Sequence, residues 1–199
     1  MSMYSNYFRR FIAGILILGM AGCVAAEKPT LSVEARQSLK LTNVRVGFAP
    51  NASLHISPVE DEVQASGSNS PERVAEAEKA QVRSVLSEEF TAIVGARMAG
   101  TRPVAANITV THFTVPGPLQ TALVSGSPLM AAGVDLVDAK SGEVLVSIPP
   151  GKISSSVYRP SGIIGFAVQA AESGSPSDKK TREMSRAFAT EYAAWILAN

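Results

Sequence analysis

Cys23 is the only thiol in a chain of 199 residues. A lone cysteine forms no internal disulfide, which leaves a buried thiol, a reactive group or an attachment point. Two histidines, His55 and His112, have no cysteine partner and no H-x-x-x-H spacing. Their spacing alone makes no metal site, and both read as surface or half-buried side chains. Glu60-Asp61-Glu62 is an acidic run of the kind found in solvated loops. Asp135 and Asp138 are oddly spaced, so on a strand they face opposite sides, and Asp138 suits turn initiation. No serine sits in G-x-S-x-G or S-x-x-K, and there is no P-loop. The expectation is no catalytic residue, no metal and no cofactor, which makes an unrecognised hydrolase the weakest of the functional readings.

The surroundings of Cys23 are more informative. MSMYSNYFRR is polar and ends in two arginines, Phe11 to Met20 is apolar, and Ala21 and Gly22 are small. That is the layout of a signal peptide. The apolar core, about ten residues, falls short of the roughly 20 that span a bilayer as a helix. Met20-Ala21-Gly22-Cys23 resembles a bacterial lipobox, with Met where Leu is usual. The resemblance implies diacylglycerol transfer to the Cys23 sulfur, cleavage before it and acylation of the new amino group. Each buried methylene then adds about 0.8 kcal/mol of membrane affinity. The alternatives are an ordinary signal peptide cut elsewhere, as after Ala25 or Ala26, and an N-terminal helix that is retained. Val24 stands where Asp would favour retention at the inner membrane, which implies the outer membrane. "YFRRFIAG" lacks the Ser/Thr of a twin-arginine signal, so export by the Sec route is expected.

The bulk composition allows one core: 46% hydrophobic and 18% charged. Arg9 and Arg10 precede Cys23 and no acid does, so the mature chain carries 18 − 2 = 16 basic against 17 acidic residues, a net of −1. Such a balance gives no electrostatic footprint for nucleic acid. Residues 1–22 read as signal peptide, 23–40 as the lipidated cysteine and a tether, and 41–199 as a single domain.

Within that domain the patterning predicts an α+β fold, sandwich-like. A small, largely antiparallel or mixed sheet of four to five strands packs with two long amphipathic helices. "LTNVRVGF" places Val44, Val46 and Phe48 on one face of a strand that Pro50-Asn51 breaks. "SLHISPV" is a weaker extended run, and 60–70 reads as a flexible loop. Ser70-Pro71-Glu72 starts a helix whose face carries Val82, Val85, Leu86, Phe90, Ile93 and Val94, with Gly100 as terminator. In "PVAANITVTHFTV", Ile108, Val110 and His112 share one face, and Thr109, Thr111 and Phe113 the other. Val134, Leu136 and Asp138 then pair with Val144, Val146 and Ile148 in a hairpin turning at Gly142. A final helix sets Met184, Phe188, Tyr192, Trp195 and Ile196 on one face.

This order of elements, with "VDLVDAKSGEVL" at its hairpin, resembles small bacterial lipoproteins related to the curli secretion channel protein CsgG and to the N-terminal domain of TolB. The residues that carry it are Val134 to Leu136, Asp138, Ser141, Gly142, Glu143, Val144 and Leu145; Ser141 stands where that group usually has Thr. The resemblance implies a sheet flanked by helices and an accessory role in envelope assembly or transport, with no catalytic residues. Pore formation does not carry over, because no transmembrane hairpin segment is present. The expected partners are the membrane, through the anchor, and another envelope protein. The apolar segment with Ile163, Ile164, Phe166 and Val168 is the expected docking surface. The second reading is a pocket for a small ligand, glycan or lipid under the 149–176 connection.

Overall fold

The computed structural model describes residues 31–68, 70–117, 128–156 and 178–198. Its organising strand is β2, Arg102–Val115, which buries Val104, Ala106, Ile108 and Val110 and turns Asn107 and Thr109 away from the core. β1, Leu39–Ile56, pairs parallel to one side of β2, and β3, Leu129–Asp138, pairs antiparallel to the other. β4, Val144–Ile148, and β5, Ser154–Ser156, both pair antiparallel with β3, one after the other along its length. The sheet is therefore mixed, in the order β1-β2-β3-β4 with β5 also on β3.

A parallel β1–β2 pair needs a crossover. Two helices supply it: α2, Ser57–Ala65, and α3, Pro71–Arg97. A short helix, α1, Val33–Gln37, precedes the sheet, and α4, Asp178–Ile196, follows it. α3 starts as its sequence predicts. The Ser70 hydroxyl accepts from the Arg73 N–H at 3.5 Å, and Pro71 occupies the first turn. The apolar stripe Val82, Leu86, Phe90 and Val94 meets Met184, Phe188, Tyr192 and Ile196 of α4 over the sheet. Phe90 and Tyr192 lie 5.0 Å apart between ring centroids, tilted by 45°. Burying each such side chain contributes about 1.5–3 kcal/mol. On the opposite face Arg45, Asn107, Asp135 and Ser147 form one polar row across four strands. Helices packed on a mixed sheet make this an α+β arrangement.

Several local expectations are corrected. β1 does not stop at Pro50-Asn51 but runs on to Ile56, with the register slipping between Phe48 and Ser53. Pro50 falls between the paired residues Phe48 and Ser53, so its missing N–H interrupts no ladder pair. Residues 57–65 are helical rather than the end of an extended run and a loop. In β2 a register shift between Val110 and His112 puts Phe113, fully buried, on the face of Ile108 and Val110, and leaves His112 half-buried on the other. A second shift, between Leu136 and Val137, accompanies an exposed Val144 opposite Val137. The stretch read as a tether includes α1 and the start of β1, with Arg36 and Leu39 buried. α3 ends at Arg97, before Gly100, whose role is close approach: a Cβ there would sit 2.2 Å from the Ser38 carbonyl oxygen. Trp195 is only partly buried beside Tyr192. Gly142, with φ of 75°, turns the hairpin as expected.

Candidate functional site

The topology gives the domain two ends. At one end lie α1, the starts of β1 and β2, the last turn of α3 and the β3–β4 turn; Ser38, Gly100, Pro103 and Ala139 take part in backbone hydrogen bonds there. The C-terminus of α4 reaches the same end, where the Arg36 guanidinium donates to the Ile196 carbonyl at 2.9 Å and to that of Ala198. A cation over free carbonyls at a helix C-terminus also complements the helix dipole. The other end, separated by the 14 residues of β2, about 46 Å of strand at 3.3 Å per residue, holds Ile56, α2 and the first turn of α3.

That far end carries a group of three titratable side chains, His55, Glu60 and Glu78, drawn from three elements. Glu78 is on α3 at 4% exposure. Its Oε1 accepts the backbone N–H of Ile56 at 2.5 Å, which ties the end of β1 to α3. His55 Nδ1 lies 2.9 Å from Glu60 Oε1, and Ser57 Oγ lies 3.4 Å from His55 Nε2. One ligand atom from each of His55, Glu60 and Glu78 falls within 4.8 Å of the others. Burial pushes the Glu78 carboxyl above its ordinary value; the Ile56 N–H opposes this, the neighbouring Glu60 charge adds to it, and His55 opposes it. Glu60 and Glu78 line an open cleft of about 590 Å³ with Leu54, Gln64, Pro71 and Val74. A second cleft of about 590 Å³ adjoins it, between β1 and α3, where the Arg83 guanidinium sits 5.5 Å from the Phe48 ring centroid.

Residue spacing does not reveal this grouping. The acidic run supplies one member, Glu60, placed in the first turn of α2 rather than in a loop. His112 is not part of it; its Nε2 lies 2.9 Å from Thr114 Oγ1. Asp135 and Asp138 do different work. Asp135 accepts from the Ser147 hydroxyl at 2.5 Å. Asp138 accepts from the N–H groups of Ser141 and Lys140 and from Arg102, and these hold its pKa down at about 2. Glu89, also buried on α3, binds Arg182 and Arg186 of α4 at 2.9 and 3.0 Å. Burial raises its pKa, but the hydrogen bonds from Arg186 and Arg182 outweigh that and leave it below its ordinary value. Cys23, the lipobox residues Met20, Ala21 and Gly22, and the segment of Ile163, Ile164, Phe166 and Val168 lie outside the described residues. Ser156 and Asp178, which flank that segment, are described; Ser156 pairs with Leu129 near the far end of the sheet.

No known family's sequence model matches the chain, and no curated protein matches it. Among solved structures, it is similar to the PelC dodecamer from Paraburkholderia phytofirmans, at 12% identity over 83% of this chain and 93% of that one, with a TM-score of 0.37. A point variant of the same PelC dodecamer gives 13% identity, 81% and 87% coverage and a TM-score of 0.34. A candidate lipoprotein from Caulobacter crescentus CB15 gives 15% identity, 58% and 83% coverage and a TM-score of 0.30. No helix among the described residues is long and apolar enough to cross a membrane.

Proposed function

We propose that the chain is an outer-membrane lipoprotein, facing the periplasm, that acts as a non-catalytic accessory or scaffold for another envelope protein. The observation that carries this reading is the lipobox, Met20-Ala21-Gly22-Cys23, behind a short apolar run. Residues 24–31 separate Cys23 from the N-cap Ser32 of α1. Fully extended, they reach about 28 Å. An acylated Cys23 therefore keeps the α1 end of the domain near the bilayer and directs the far end, with α2 and the clefts beside α3, toward the periplasm. The partner meets that end.

Photocrosslinkers placed at Gln64 on α2 and at Lys140 in the β3–β4 turn compare the two ends in intact cells. The reading expects a discrete envelope-protein adduct from Gln64 that is lost in Cys23→Ala, and none of that identity from Lys140. Equal labelling from both positions, or an adduct indifferent to Cys23, contradicts it. A second reading, binding of a small ligand, glycan or lipid, is favoured by one observation: the two adjoining clefts between β1, α2 and α3. A thermal-shift screen with envelope glycans and lipids tests it.

A further inference from the structure

We propose that His55, Glu60 and Glu78 form a binding site for a divalent transition metal of the zinc class. The inference is independent of lipidation and of the accessory role. Three separate elements bring the donors together: the end of β1, the first turn of α2 and the second turn of α3. Their ligand atoms lie within 4.8 Å of one another, so side-chain adjustment alone can gather them on one ion. A set of one imidazole and two carboxylates suits zinc-class ions, which accept mixed N and O ligands, better than magnesium, which prefers oxygen and keeps its waters.

The strongest support is the state of Glu78. A carboxylate offers about four lone-pair sites. Glu78, at 4% exposure, uses one of them among the described residues, on the Ile56 N–H. A second carboxylate, the half-buried Glu60, lies beside it, and the neighbouring imidazole is already turned to Glu60. Carboxylates this close, one of them buried, repel one another unless a proton or a cation intervenes. A divalent ion would neutralise both, with His55 supplying the nitrogen ligand. Glu60 and Glu78 also line the open cleft, which gives the ion a route in. Three protein ligands leave at least one position for water or for a side chain from elsewhere. The bound ion would fasten α2 across the end of β1 and the first turns of α3.

The test uses the full chain, purified in detergent and treated with chelator, with zinc chloride as the probe. Isothermal titration should find one zinc per chain, and zinc should raise the unfolding midpoint while the same concentration of magnesium does not. His55→Ala and Glu60→Gln should each weaken zinc affinity by roughly tenfold or more. His112→Ala should leave it unchanged. Circular dichroism of each variant without metal keeps loss of binding separate from loss of fold. Cobalt supplies an independent readout: its visible ligand-field band should change in His55→Ala. The proposal is overturned if the chelated protein takes up no stoichiometric zinc, or if the His55→Ala/Glu60→Gln double variant binds as well as the parent.

Discussion

Two buried acids and one buried phenol set the residue-scale expectations. Tyr192 is fully buried, and its hydroxyl has no hydrogen-bond partner among the described residues. Burial, and then the charge of Asp135, hold its pKa far above the ordinary value. Removing an unsatisfied buried group relieves its desolvation cost while the ring keeps its contacts with Phe90 and Trp195. Tyr192→Phe should therefore raise stability, by about 1 kcal/mol, measured by urea denaturation. Glu89 carries the opposite sign. Its folded pKa lies below the ordinary 4.5, so its contribution is full above that value and fades as pH falls through the lowered one. Glu89→Gln should cost about 1–2 kcal/mol at neutral pH. It should also flatten the acid side of the stability profile in a pH series of melts. Arg186 is largely exposed, so the buried carboxylate rather than the ion pair count sets that cost. Glu78 and Glu89 look like surface residues in the sequence because they are charged. Their positions said otherwise: they fall at helical steps from Val82, Val85 and Leu86, on the apolar stripe. Their neighbours across 22 and 97 positions, Ile56 and Arg186, have no local signature.

At the scale of elements, contacts between distant segments decide what local pattern leaves open. Arg36 fastens α1 to the end of α4 through two carbonyls. Arg36→Ala should cost roughly 2 kcal/mol, read from denaturant midpoints, because the carbonyls lose a charged donor in a buried setting. Gly100 marks another such junction. A methyl group there meets the Ser38 backbone at 2.2 Å. Gly100→Ala should therefore destabilise by about 1–3 kcal/mol through displaced backbone, and a matching loss of amide protection at Ser38 and Leu39 would locate the damage. The alternation in Val44-Val46-Phe48 and Val134-Leu136, the cap at Ser70 and the stripe of α3 were all legible, because each depends on neighbours in sequence. The parallel pairing of β1 with β2 depends on a crossover, and no local period encodes it. The shift at Val110/His112 inverted the expected faces of Phe113 and His112, since one extra residue reverses every side chain beyond it. α2 was hidden by its polar composition, and Pro50 pointed to a break where the ladder only slips in register between Phe48 and Ser53.

For the whole molecule, the proposed anchor sets a direction. Among the described residues α1 starts at Val33, and the two ends of the sheet are the length of β2 apart. Lengthening residues 24–31 with a flexible Gly/Ser insertion should leave membrane fractionation unchanged while changing crosslinking from Gln64, since only the reach of the far end is altered. The central claim concerns Cys23, and intact-mass and N-terminal peptide analysis of the protein extracted from membranes tests it most directly. The account predicts a chain that begins at Cys23 and carries a diacylglycerol thioether and an acylated amino group. A mature chain that begins after Ala25 or Ala26, or one that retains residues 1–22 with an unmodified thiol, would contradict it.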